Sequence, residues 1–188
     1  MSVVSDEDRR DIHQSLVGDE EAYARIISRY QSKIAAQMWR FSRDAAVVEE
    51  LVQEAFVEAY LSLGKFKERA PLLHWLRKIA TRVGYRFWRN RSREQERRKA
   101  LAQHAEELVP PQGASPSEAG EYLHLLLAQL PAEDRIVLTL HYFEACDTRE
   151  IAERMGWTRS LVKVRAYRAR KKLRTLLEEA GYGPQKPA

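Results

Sequence analysis

Residues Asp147–Arg174 read DTREIAERMGWTRSLVKVRAYRARKKLR, the pattern of a helix, a tight turn and a second helix. Asp147 and Thr148 are good N-cap residues, and Asp147-x-x-Glu150 has capping-box spacing. Ile151, Ala152 and Met155 give the first helix an apolar side. Gly156 ends it, because glycine enters the left-handed conformation of a C-terminal turn without a Cβ penalty. Thr158 can cap the second helix. There Val162, Ala166, Ala169 and Leu173 recur at steps of 4, 3 and 4, which is one buried stripe. Ser160, Lys163, Val164, Tyr167, Arg168 and Lys171 fall on the opposite side, a basic face long enough for a DNA major groove. The same pattern also suits a solvated basic helix in a bundle, so the rest of the chain has to decide.

The charge distribution favours DNA. The net charge is +5 over 188 residues. Residues 1–64 carry 7 basic and 12 acidic side chains, 65–100 carry 13 and 3, 101–147 carry 1 and 8, and 148–188 carry 11 and 4. Two strongly basic blocks thus alternate with two acidic ones, and one of the basic blocks is the helix–turn–helix. A chain built this way can touch a polyanion at two places.

No segment alternates apolar and polar residues as a half-buried strand does, and the few prolines avoid the long periodic stretches. The expected class is all-α, with two small helical domains joined by a linker. The spacing predicts a helix over 19–38, with Ala22, Ile26, Ile27, Tyr30, Ile34 and Met38 inward. A second is expected over about 45–63, with Val48, Leu51, Val52, Ala55, Phe56, Ala59 and Tyr60 inward and Glu49, Glu50, Gln53, Glu54 and Glu58 outward. A third starts near Pro71. It interleaves Arg77, Lys78, Arg82, Arg86, Arg89, Arg91 and Arg93 with Tyr85, Phe87 and Trp88, and rings beside guanidinium groups suit single-stranded nucleic acid. Trp75 and Phe87 are expected in the core; Tyr85, Arg82, Arg86 and Arg89 are expected outward. Proline, glycine and serine in VPPQGASPSE mark the linker. The expected division is an N-terminal tail at 1–17, a first domain at 18–96, a linker at 97–117, a second domain at 118–178 and a C-terminal tail at 179–188.

Other chemistries lack support. His13, His74, His104, His124 and His141 have no ligand spacing, so neither a metal site nor a cofactor is expected. No phosphate loop or nucleophile elbow is present, and no enzyme is expected. The single cysteine, Cys146, is either a redox-sensitive thiol or a small packing residue. The N-terminus has no apolar signal core, and no run approaches the roughly 18 apolar residues of a membrane span. A soluble, cytoplasmic protein without membrane insertion is expected.

In two blocks taken together the chain resembles a known family. GDEEAYARIISRY, EELVQEAFVEAY and GKFKERAPLLHWLRKIAT are similar to region 2 of bacterial sigma-70-family transcription initiation factors of the small, extracytoplasmic-function type. LPAEDRIVLTLHYFEACDTREIAERMGWTRSLVKVRAYRARKKLR is similar to region 4. The resemblance spans nearly all of residues 18–178. It implies a non-enzymatic protein that associates with core RNA polymerase and directs it to promoters. It implies that Arg159, Ser160, Lys163, Val164, Tyr167 and Arg168 face the −35 element, with Arg165 and Arg170 on the flank for phosphates. For the −10 element it implies that the loop Lys65–Pro71, with Lys65, Phe66, Lys67 and Arg69, holds a flipped base. Arg82, Tyr85 and Arg86 would meet the strand or upstream duplex.

The resemblance further implies that Glu50, Gln53 and Glu54 dock on the clamp helices of the polymerase largest subunit. A contact of the second domain with the polymerase flap, an anti-sigma factor as inhibitor and a monomeric active form also follow. Leu161 and Val164 stand where small or hydroxylated residues are common in the family, and Lys67–Pro71 replaces a more usual Arg-Gly-Asp-like run. A stand-alone helix–turn–helix regulator is the alternative reading; it has no use for the acidic helix or the aromatic-basic one.

Overall fold

The computed structural model describes residues 3–101 and 116–182. Among these residues every regular element is helical. The chain forms two compact units, Met1–Phe87 and Trp88–Ala188.

The first unit contains α1 (Asp6–Leu16), α2 (Glu20–Met38), α3 (Ala45–Ser62), a single 3₁₀ turn at Leu63–Lys65 and the start of α4 (Leu72–Leu101). Side-chain caps set the starts: Ser5 accepts from the Asp8 N–H, Asp19 from Ala22 and Asp44 from Ala46. Ile26, Ile34 and Met38 of α2 are fully buried, with Leu51 and Phe56 of α3 and Leu72, Leu76 and Val83 of α4 beside them in the core. Gln37 reaches from α2 to α4, donating to the Arg77 carbonyl at 3.2 Å and to Thr81 Oγ1 at 2.9 Å.

Helix α1 departs from expectation. Residues 1–17 read as a tail, yet Asp6–Leu16 is a helix packed on α2. Its inward face is mostly polar: Asp8, Asp11 and Ser15 are buried along with Ile12. Arg29 of α2 donates to Asp8, Asp11 and Glu7, Arg25 donates to Asp11 at 2.9 Å, and the Tyr30 hydroxyl donates to Asp8 at 2.8 Å. An apolar-periodicity reading is blind to a helix that docks through carboxylates.

The predicted stripes of α2 and α3 are wider than the core. Ile27 and Val52 are half-buried, and Tyr60 is 46% exposed. They line an open apolar groove between the two helices, with Val48, Phe56 and Val57.

The second unit takes in the later part of α4, then α5 (Pro116–Ala128), α6 (Ala132–Leu138) with a π-helical turn at Thr139–Phe143, α7 (Thr148–Met155) and α8 (Arg159–Glu179). The units divide at Phe87/Trp88, earlier than the expected domain end at 96. The reason is Trp88: it is buried, and the Arg135 guanidinium lies 3.8 Å over its ring. Trp75 and Phe87, expected in the core, are only half-buried. Most of the expected linker lies outside the described residues. Of the expected C-terminal tail, the Tyr182 N–H donates to the Leu177 carbonyl at 2.8 Å and its ring lies 5.8 Å from Tyr122.

The turn between α7 and α8 follows the local chemistry. The Glu150 N–H donates to Asp147 Oδ1 at 2.8 Å and the Asp147 N–H to Glu150 Oε2 at 2.9 Å, a complete capping box. Gly156 takes φ +70°, and Thr158 Oγ1 accepts from the Leu161 N–H at 3.2 Å. The hydrogen bond from the Glu150 N–H holds the Asp147 carboxyl below the ordinary carboxylate range, with smaller help from Arg149 and Arg159. Its folded pKa is therefore lower than its unfolded one. The cap is at full strength above the unfolded value and is lost as pH falls through the folded value. Asp147→Ala is expected to speed amide exchange at the start of α7 at neutral pH in the full chain. That difference from the parent should shrink in acid.

Candidate nucleic-acid interface

Exposed cations cluster with aromatic rings on two surfaces. On α8, Val162 and Ala169 are buried while Arg159, Ser160, Lys163, Val164, Tyr167 and Arg168 are exposed on the other side. The buried side packs on α6 and α7. The exposed side presents hydrogen-bond donors, an aromatic ring and the apolar Val164, which together can bond guanine edges and phosphates and contact a thymine methyl.

Arg165 is not part of that exposed side. Its Nη1 donates to Asp134 Oδ1 at 3.2 Å, and Lys172 Nζ lies 3.8 Å from Asp134 Oδ2. Asp134 is 2% exposed, so its charge needs these partners. Arg165 is therefore turned toward α6 as a tie between helices. Helical spacing puts it beside the basic face, but only the position of α6 tells which way it turns.

The second surface is the loop Lys65–Pro71 and the face of α4 that follows. Lys65, Lys67 and Arg69 are exposed. Phe66 is half-buried, its ring 5.2 Å from Trp75. Arg82 is exposed and Tyr85 half-buried on α4. Glu68 stands between the cations with φ +53°, in the left-handed region.

Arg86 differs from expectation. Its Nη2 donates to Glu54 at 2.7 Å and also to Glu58. A residue expected on DNA and a residue expected on polymerase thus form one ion pair between α4 and α3. A phosphate can reach Arg86 only in competition with two carboxylates, so Arg86 holds α4 to α3. Glu50 and Gln53 are exposed, and Gln53 lies on the rim of the apolar groove.

Among the described residues no group of three or more His, Cys, Asp or Glu side chains is arranged to hold a metal ion. No described helix is long and apolar enough to cross a membrane. Cys146 is 2% exposed, with its thiol 3.7 Å from the Glu144 carbonyl, the setting of a packing residue.

Two helical units, one bearing a capped helix–turn–helix with a basic outer face and one bearing a cationic loop at the head of an aromatic-basic helix, have the build of a DNA-binding protein. Comparison with known proteins gives the family. Sigma-70 region 2 matches residues 26–94 and sigma-70 region 4 matches residues 120–173. The RNA polymerase sigma-H factor of Pseudomonas aeruginosa is 30% identical, over 95% of this chain and 100% of that protein. The ECF RNA polymerase sigma-E factor of Haemophilus influenzae is 27% identical, over 86% and 90%. Among solved structures, CnrH in complex with the cytosolic domain of CnrY is similar at a TM-score of 0.56, with 25% identity over 93% of this chain and 99% of that one. The chain belongs to the sigma-70 family, as a sigma factor of the extracytoplasmic-function type. It is a non-catalytic factor that directs RNA polymerase to promoters.

Proposed function

We propose that the two cationic surfaces divide promoter recognition between them. The outer face of α8, Arg159, Ser160, Lys163, Val164, Tyr167 and Arg168, reads the −35 element as duplex. The loop Lys65–Pro71, with Arg82 and Tyr85 of α4, captures the opened −10 strand. Lys65, Lys67 and Arg69 meet phosphates, and Phe66 on Trp75 forms the apolar floor. Arg86 and Arg165 act structurally. The observation that carries this reading is the α8 row: six exposed side chains on one side of a helix whose other side is anchored by Val162 and Ala169.

The acidic face of α3, led by Glu50 and Gln53, docks on the clamp helices of the largest polymerase subunit. Glu54 stays on Arg86 and marks the edge where the polymerase-facing and DNA-facing surfaces meet. The second unit reaches the polymerase flap. The active species is a monomer in the cytoplasm. CnrH is known bound to the cytosolic domain of CnrY. By analogy a protein partner covers the groove of Ile27, Val52 and Tyr60 and, acting as the expected anti-sigma factor, keeps this protein from polymerase; charge complementarity with the acidic rim sets its orientation.

Binding to core polymerase and run-off transcription from a selected promoter test the reading. Arg168→Ala in the holoenzyme is expected to cost about 1–3 kcal/mol of promoter affinity and to relax one position of the −35 element. Lys163→Ala is expected to weaken all promoters alike and to lower the salt slope by about 1. Failure to bind core polymerase, with tight operator binding by the free chain, would instead establish a stand-alone regulator.

A further inference from the structure

We propose that α1 braces the loop Lys65–Pro71, and that Arg9 is a positioning residue for reading the single-stranded −10 element. This rests on the assignment of that loop to the −10 strand. The loop leaves the 3₁₀ turn Leu63–Lys65 and enters α4 at Leu72. Helix α1 packs against that turn, and Leu16 Cδ2 lies 3.7 Å from where a Cβ on Gly64 would stand. Arg9, at the end of the first turn of α1, donates from Nε to Glu68 Oε2 at 3.0 Å and from Nη1 to Asp6 Oδ1 at 3.3 Å. The bond to Glu68 spans 59 residues of chain.

Glu68 needs such a tie for two reasons. Its φ of +53° is one that side-chain-bearing residues rarely keep unless their surroundings over-determine it. It is also the single acid among Lys65, Lys67 and Arg69. A free carboxylate there would repel the phosphates that the three cations attract. Paired with Arg9, it is neutralised and drawn to α1. The brace is itself anchored, because Arg25 and Arg29 hold the other side of α1 to α2.

The pair is solvent-exposed, at 42% and 40% for the two side chains, so its contribution to global stability is small. That separates positioning from folding in an experiment. The probe is a single-stranded −10 oligonucleotide bound to full chain plus core polymerase, read by fluorescence anisotropy for the preferred sequence and for single-base substitutions. Arg9→Ala is expected to lower the ratio of preferred to substituted binding by about two- to fivefold. Core-polymerase binding and the Tm should be unchanged. The swap Arg9→Glu with Glu68→Arg is expected to restore the ratio, because the pair re-forms in reverse.

The inference is overturned if Arg9→Ala keeps the parent ratio while Lys67→Ala and Arg69→Ala weaken binding; the loop assignment then stands without the brace. A fall in Tm that tracks the loss of discrimination also overturns it. If Lys67→Ala and Arg69→Ala leave binding unchanged too, the loop assignment itself is wrong.

Discussion

Arg29→Ala is expected to lower the stability of the first unit by about 3–5 kcal/mol, a large part of the roughly 5–15 kcal/mol that keeps a small domain folded. Arg29 is the hub of α1 docking: its guanidinium bonds Asp11 at 2.6 Å and Glu7 at 2.8 Å, and also Asp8. Asp8 and Asp11 are 4% and 2% exposed. With Arg29 gone, Asp8 keeps the Tyr30 hydroxyl and Asp11 keeps Arg25. Buried carboxylates stripped of a cation cost far more than the pair itself contributes. Adding Asp8→Asn and Asp11→Asn to Arg29→Met should therefore recover much of the loss, since no charge is then stranded. Urea denaturation followed by circular dichroism measures both; a midpoint for Arg29→Ala equal to the parent's would refute the account.

The same cluster fixes a pH dependence. Burial pushes the Asp11 carboxyl up, but hydrogen bonds from Arg29 and then Arg25 more than reverse this, and the net shift is downward. Its folded pKa lies below its unfolded one, so its stabilisation is complete above the ordinary carboxylate range. It is lost as pH falls through the folded value. Arg29→Ala should flatten this acid limb of the stability curve.

Gly84→Ala is the second large effect, and two principles disagree on its sign. In a helix interior alanine is favoured over glycine by about 1 kcal/mol, so propensity alone makes the variant more stable. Packing says the opposite. A Cβ on Gly84 would stand 2.4 Å from Phe41 Cδ1 and 2.5 Å from both Cε1 and Cγ. Those are atoms of a rigid ring that is itself 3% exposed, not the end of a flexible side chain. Overpacking of this kind costs about 1–3 kcal/mol or more, and the clash prevails.

Gly84 immediately precedes Tyr85, so a shift of α4 away from Phe41 also displaces the proposed −10 surface. Gly84→Ala is expected to lower both Tm and promoter opening. Adding Phe41→Leu should return part of both, a coupling that a double-mutant cycle detects. A rise in Tm for Gly84→Ala would show that the ring moves freely and that propensity governs the position.

The parts of this molecule that were legible in its residues are the parts made by neighbours in the chain. The capping box of Asp147 and Glu150, the left-handed Gly156 and the Thr158 cap all act within a few residues, and each is seen as expected. The stripe of α8 is likewise a matter of helical period, which is why its outer face is legible in the sequence. Period fails where the buried face is polar. Helix α1 docks through Asp8 and Asp11, with Ser15 buried beside them, and these residues read in sequence as a solvated tail.

Charge alone also fails to tell an exposed cation from one tied to a neighbouring helix. Arg165 and Arg86 look like Arg168 in sequence. Asp134 lies 31 residues from Arg165, and Glu54 lies 32 residues from Arg86. An arginine's role depends on which carboxylate the fold brings within about 3 Å of it. Glu68 makes the same point in reverse: in sequence it is an acid in a basic loop, and its partner Arg9 is 59 residues away. Helices, caps and faces were set locally, by backbone hydrogen bonding and side-chain period. The pairing of charges across helices was set by packing, because a Coulomb interaction depends on distance in space and not on position along the chain.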